Sequence, residues 1–205
     1  SVERIFDAIP ADYPLAGLIH AAGLLDDGVI ATLTPERMTR VLQPKVHGGW
    51  HLHELTTSMD LDFFIMFSSI SSIVGGVGQG NYAAANAFLD ALAQHRRSLG
   101  LAGTSIAWGP WAEGGMAAQM AETDKQRMLR QGMDFLSHDQ GMALLEEAMG
   151  YDPSLLVAMD LDTKRLGRSF ERGGMGVTPL FRGLVKPSSA SGASAGSLKL
   201  SMVAL

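Results

Sequence analysis

Leu61-Asp62-Phe63-Phe64-Ile65-Met66-Phe67-Ser68, then Gly75-Gly76-Val77-Gly78-Gln79-Gly80, then Asn81-Tyr82-Ala83-Ala84-Ala85-Asn86, is the stretch that decides the fold. Its first part is a continuous apolar run, as expected of a strand covered on both faces. The glycines form a turn, and the sequence after them predicts a long helix over 81–97. Working outward, 15–20 and Thr104–Trp108 read as flanking strands, and 155–159 as a last one. Thr34-Pro35 is a helix start, a capping hydroxyl followed by Pro at the first helical position, with Met38, Val41 and Leu42 on the apolar face. Pro44 should break that helix, so a second helix is expected over 45–58. A helix is expected over 117–129, and Ser137-His138-Asp139-Gln140 is a capping box opening another over 141–149. Strands alternating with helices predict an α/β fold, a Rossmann-like doubly wound parallel sheet with helices on both faces. No internal repeat is present.

Composition sets limits. With 205 residues, one domain is the default, and 46% hydrophobic against 18% charged residues suits a folded chain. A net charge of −5 lacks the basic footprint of a nucleic-acid binder. With no cysteine, disulfides, thiolate catalysis and Cys-ligated metals are excluded. No apolar run approaches the ~18 residues of a membrane span. There are 24 glycines, well above a usual share of about 7%. The chain opens on Ser1-Val2-Glu3-Arg4, which resembles no signal peptide and lacks a starting Met, so it is expected to be a piece of something longer. From Lys186 the composition turns to Ser, Ala and Gly, so 1–185 is expected to be domain and 186–205 a flexible linker.

In open parallel sheets ligands bind outside the carboxyl ends of the strands. His20, Ala21, Ala22 and Gly23 leave the first strand there, Ser68 and Ser69 the second, and Trp108, Gly109 and Pro110 the third. Tyr82 opens the following helix at the same edge, and Asn86 lies one turn on, on the same face. Lys45 starts a helix of about 13 residues spanning about 20 Å. The next strand climbs back over about 8 residues, near 25 Å, so Lys45 should return close to Ser69. A Tyr, Lys, Ser and Asn cluster suits carbonyl reduction. A nearby ammonium lowers the tyrosine pKa, the phenol gives its proton to a developing alkoxide, and Ser holds the same oxygen. The hydride must come from a cofactor.

These residues, inside Pro44-Lys45-Val46, Phe67-Ser68-Ser69 and Gly78-Gln79-Gly80-Asn81-Tyr82-Ala83-Ala84-Ala85-Asn86-Ala87, resemble the ketoreductase domains of modular type I polyketide synthases, in the extended short-chain dehydrogenase/reductase superfamily. His20-Ala21-Ala22-Gly23-Leu24-Leu25-Asp26-Asp27-Gly28, Trp50-His51-Leu52-His53-Glu54-Leu55 and Ala107-Trp108-Gly109-Pro110-Trp111 match as well. The resemblance covers 9–184. It implies Tyr82, Ser69, Lys45 and Asn86 as catalytic residues, and NADPH held by His20, Ala21, Ala22, Gly23, Trp108, Gly109 and Pro110. It implies an acyl carrier protein and the other synthase domains as partners, and a cytoplasmic setting. Leu25, Asp26 and Asp27, with Val74 where the opposite stereochemical class has Trp, imply a B-type enzyme giving a D-configured 3-hydroxyl. Gln79 and Met116 are expected to line the substrate, Met116 on a lid hinged at Gly114-Gly115. The family's upstream glycine-rich βαβ region has no counterpart here, so the sheet is expected to be truncated at its N-terminus. The free chain would then be an inactive fragment, a structural piece needing a separate N-terminal part.

Other readings are weaker. Gly78-x-Gly80-x-x-Ala83 matches a relaxed dinucleotide fingerprint, but no acidic residue ends the next strand, and a substrate loop accounts better for these glycines. His47, His51 and His53 suggest a metal, yet no carboxylate array accompanies them, and none is expected. No G-x-S-x-G elbow surrounds Ser69.

Overall fold

The structure is a computed structural model that describes residues 3–114, 116, 120–173 and 176–185, and the backbone of 198–204. Its helices are α1 (Glu3–Asp7), α2 (Pro35–Leu42), α3 (Gly48–Thr56), α4 (Ser71–Val74), α5 (Gly80–Ser98), α6 (Glu122–Arg130), α7 (His138–Met149) and α8 (Thr163–Arg172). Its strands are β1 (Gly17–His20), β2 (Phe63–Ser69), β3 (Thr104–Trp108), β4 (Met133–Asp134), β5 (Leu155–Leu161) and β6 (Leu198–Ala204). The strand order is β1-β2-β3-β5-β4, with β6 beside β5. β1, β2 and β3 run parallel, and β4 runs antiparallel to β5. The chain divides into two compact units. The first holds Ser1–Trp108, Glu147–Val157 and Val203–Leu205, and the second holds Gly109–Glu146 and Ala158–Met202.

In the first unit β2 lies between β1 and β3, which explains its unbroken apolar run: Phe64, Ile65 and Met66 are all buried. Phe64 and Met66 pack with Leu89, Leu92 and Ala93 of α5, and Leu52 of α3 lies against them. Each such large side chain contributes roughly 1.5–3 kcal/mol by leaving water. The buried positions of α5 (Asn81, Tyr82, Ala85, Asn86, Leu89, Asp90, Leu92, Ala93, Arg96) form one helical face. Gly49 permits the close approach of α3, since a Cβ there would stand 3.1 Å from Leu89.

Arg96 locks the far end of α5. It is fully buried, with its guanidinium 3.8 Å from the Phe64 ring centroid. It donates to Ala102 O (2.6 Å) and Thr56 Oγ1 (3.0 Å) and meets His53 Nδ1 at 3.1 Å. Burial pulls its pKa down to about 10.

Pro44 does not break the chain. Gln43–His47 is a π-helical turn joining α2 to α3, and Gly48 N bonds Gln43 O across it. Proline lacks an N–H and clashes with the carbonyl four residues back, and the wider turn accommodates the ring between two helical segments. α4 was not foreseen between β2 and the glycines, and α7 begins three residues before the expected 141. The capping box is complete: Ser137 N donates to Gln140 Oε1 (2.8 Å) and Gln140 N to Ser137 Oγ (3.2 Å). Of the helix expected over 117–129, residues 117–119 lie outside the described ones, 120 and 121 are not helical, and α6 occupies 122–129 and one residue more. Most of the expected linker, 186–197, also lies outside them. Within its last part 198–204 is a strand, whose alternating Leu198, Leu200 and Met202 have the period of one. No helix among the described residues is long and apolar enough to cross a membrane.

Replacing Arg96 with Ala removes a stacked, triply bonded core side chain. It should cost about 3 kcal/mol, read as a lower urea midpoint at unchanged slope.

Candidate active site

The carboxyl ends of β1, β2 and β3 share an edge: His20 pairs with Met66, and Ser69 with Trp108. Ile70 N donates to Trp108 O (2.9 Å) and closes the edge just beyond the strands. Ala21, Ala22 and Gly23 leave it exposed, while His20 is buried.

The π-helical turn delivers Lys45 to this edge. The side chain is only 2% exposed, and Nζ donates to Phe67 O at 2.7 Å, two residues from Ser69. Nζ lies 5.9 Å from the centre of the Tyr82 ring. Burial pulls its pKa from 10.5 down to about 8, opposed by the charge of Asp90. His20 steadies the same turn through a hydrogen bond to the Pro44 carbonyl. Its pKa is lowered by burial and then by Lys45, so the ring is neutral at pH 7; with Nε2 unpartnered, Nδ1 carries that bond.

Tyr82, in the first turn of α5, is buried. Burial raises its pKa, hydrogen bonding from Ser69 and Asn86 pulls the other way, and the Asp27 charge adds to the rise. Among the chain's own groups burial therefore decides the direction, not the ammonium, and the phenol holds its proton at neutral pH. Asn86 is fully buried, with Nδ2 donating to Tyr82 O at 2.8 Å. The two serines part ways: Ser68 Oγ donates to Asn86 O (3.3 Å), while Ser69 Oγ accepts from Ser71 N (3.2 Å) beside the tyrosine. The structure thus gathers Lys45, Ser69, Tyr82 and Asn86.

The loop 25–28 is tied to the start of α5. Asn81 Nδ2 donates to Asp26 O (2.9 Å), Gln79 Nε2 to Asp27 Oδ2 (2.9 Å), and Gly28 N to Gly78 O (2.8 Å). Gly78 has φ +73°, which only glycine adopts without strain. Leu25 is half-buried, and Val74 is exposed at the end of α4. The second unit holds Gly109, whose N donates to Ala158 O (2.8 Å), Pro110, whose carbonyl accepts from Leu136 N (2.8 Å), and a half-buried Met116.

Three further residues escaped the sequence reading. Asp90, one turn beyond Asn86, is buried and accepts from Ser105 Oγ at 2.6 Å. The spacing 82, 86, 90 was the available signal. Asn81, wholly buried, accepts from Tyr82 N (2.9 Å), and Arg37 holds Asp26. Neither has a local signature. Among the described residues no three His, Asp or Glu side chains gather around a common metal position.

A nicotinamide cofactor fits this edge. His20 Nε2, Ser71 Oγ and Asn86 Oδ1 are buried polar atoms without hydrogen-bond partners, and all belong to residues at or next to it. Hydrogen-bonding capacity there suits a polar ligand, and residues 21–23 beside it are exposed.

The comparisons agree with this geometry. A family described as "KR domain" matches residues 1–113. Polyketide synthase GfsB of Streptomyces halstedii is 52% identical over 187 residues, covering 91% of the chain and 3% of that protein. The phenolphthiocerol synthesis polyketide synthase Pks15/1 of Mycobacterium marinum is 46% identical over 188 residues, covering 91% and 9%. The ketoreductase from the first module of phoslactomycin biosynthesis in Streptomyces sp. HK803 has a TM-score of 0.77 at 37% identity, covering 92% and 43%. An A-type ketoreductase from a modular polyketide synthase has a TM-score of 0.76 at 38% identity, covering 82% and 35%. The chain thus spans a small part of these synthases and under half of each solved ketoreductase.

Lys45→Met should stabilise the chain at pH 7. Keeping the buried ammonium charged costs about 3 kcal/mol, and loss of the bond to Phe67 O returns about 1, leaving a gain of about 2 kcal/mol. Because the folded pKa lies below the unfolded one, the cost is full below pH 8 and disappears as pH rises to 10.5. Urea midpoints of the two proteins should therefore approach one another across that window and cross before its upper end, where only the lost bond to Phe67 O remains.

Proposed function

The chain belongs to the KR domain family, and on that premise we propose that it forms the catalytic part of an NADPH-dependent β-ketoacyl reductase in a polyketide synthase. The observation that carries this is the convergence of Lys45, Ser69, Tyr82 and Asn86 at one sheet edge. Residues 20–23 and Trp108 of the first unit would hold the cofactor, which would supply the hydride. Ser69 Oγ holds the substrate carbonyl oxygen, and the protonated Tyr82 hydroxyl donates to that oxygen as it becomes an alkoxide. The Lys45 ammonium offsets the charge left on the phenolate. Asn86 fixes the first turn of α5 and relays the replacement proton.

Leu25, Asp26, Asp27 and Val74 support a B-type outcome, a D-configured 3-hydroxyl, with Gln79 bordering the acyl chain. Residues 1–185 would be ketoreductase and 186–205 lead towards an acyl carrier protein, in the cytoplasm. The chain's coverage of 35% of a solved ketoreductase favours a second reading as well: taken alone it is an inactive piece that needs the remaining ketoreductase residues.

Tyr82→Phe in the full synthase should lower reduction of a β-ketoacyl thioester at least ~100-fold, followed by cofactor absorbance, with folding unchanged. Retained turnover, or an L-configured alcohol from the unaltered enzyme, would refute the mechanism or the stereochemical class respectively.

A further inference from the structure

We infer that Arg37, on α2, is a positioning residue that sets which face of the ketone is reduced, by fixing the loop 25–28 against the helix that bears Tyr82. The inference rests on the reductase reading above. It does not depend on which alcohol is made.

One guanidinium gathers the loop. Arg37 Nε donates to Asp26 Oδ1 (2.8 Å), and Nη2 stands 2.6 Å from the same oxygen. Nη2 also donates to Asp27 O (2.6 Å) and Asp26 O (3.4 Å), and Nη1 to Thr32 O (2.9 Å). The loop forms neither helix nor strand, so these bonds replace the ladder it lacks. Gly28 leaves room for the clamp, since a Cβ there would stand 2.8 Å from Nη1. The Asp26 carboxyl is held below its usual range chiefly by Arg37, so the pair stays charged through neutral pH.

The opposite side of the loop rests on the α5 start. Asp26 O also accepts from Asn81, whose own oxygen takes the Tyr82 N–H, and Asp27 Oδ2 accepts from Gln79. A continuous chain of bonds thus runs from Arg37 through the Asp26 carbonyl and Asn81 to the backbone of the tyrosine. Asp27, whose charge is felt at the Tyr82 hydroxyl, is the carboxylate this frame aims. Arg40 touches the same Asp26 by one exposed contact at 3.3 Å and joins none of the loop carbonyls. A planar five-donor fork can hold the carboxylate and all three carbonyls at once, whereas an ammonium has only three donors.

The test places R37M, R37K and R40Q in the full synthase. It measures the ratio of the two 3-hydroxy epimers from a β-ketoacyl thioester, with kcat and KM. In R37M the ratio should move at least about tenfold toward the minor epimer, with kcat changed much less. R37K should recover only part of the selectivity, and R40Q should match the unaltered enzyme. If R37M does not fold, R37K carries the same comparison. A lower melting temperature or rate with an unchanged ratio would overturn the inference, as would an equal shift in R40Q. An unaltered enzyme that makes the L alcohol refutes the B-type assignment alone, because the Arg37 effect is read relative to it. One that makes neither alcohol overturns both the reductase reading and this inference.

Discussion

The face that α5 turns toward β2 and β3 is the constraint on which the sheet edge depends. Leu89, Leu92 and Ala93 bury the middle of that face, and Arg96 bolts its far end to β2 and α3. Tyr82, Asn86 and Asp90 are simply the polar members of the same stripe. Their rotation about the helix axis is therefore fixed by apolar packing with no need for polar contacts of their own. Polar positions in a buried stripe are expensive, and most of that cost is offset locally: the Asn86 amide donates to the Tyr82 carbonyl, Ser105 bonds Asp90 and Ser69 bonds Tyr82, leaving Asn86 Oδ1 unpartnered.

Lys45 is the exception to that local balance. Its ammonium has one carbonyl partner and sits where water would otherwise hydrate it. A cation placed so that it stabilises the folded chain less than a methionine would is the pattern expected when a site is arranged for charge that develops elsewhere. The protonated tyrosine belongs to the same arrangement: burial that keeps the phenol neutral also sharpens the gain from a nearby positive charge once the proton leaves.

How much of this was legible follows the range of each signal. β2 and β3 were plain because a buried strand writes its apolar run into consecutive residues, and the capping box at Ser137 because both partners lie within one turn. The return of Lys45 to the neighbourhood of Ser69 was legible from length alone. The Pro44 break was not borne out. Proline's local rule predicts an end, whereas the chain passes through Pro44 in a π-helical turn whose width no local pattern announces. β4, two residues long, gains its identity only from β5. Asp90 and Arg37 drew no reading, since nothing in their surroundings along the chain announces a buried serine or an unsupported loop.

The Lys45–Tyr82 approach also has a kinetic side. The tyrosine and asparagine share one helix and could meet in a short peptide, but the lysine arrives from another element, across an entire strand and its loops. No local fragment of this chain can preform the cluster. It comes into being only when the non-local β1–β2–β3 pairings close, which is the slow, entropically costly step of folding such a sheet. A nascent or partly unfolded chain of this kind is therefore silent rather than leaky, because the order in which contacts form keeps the ammonium and the phenol apart until the core is complete.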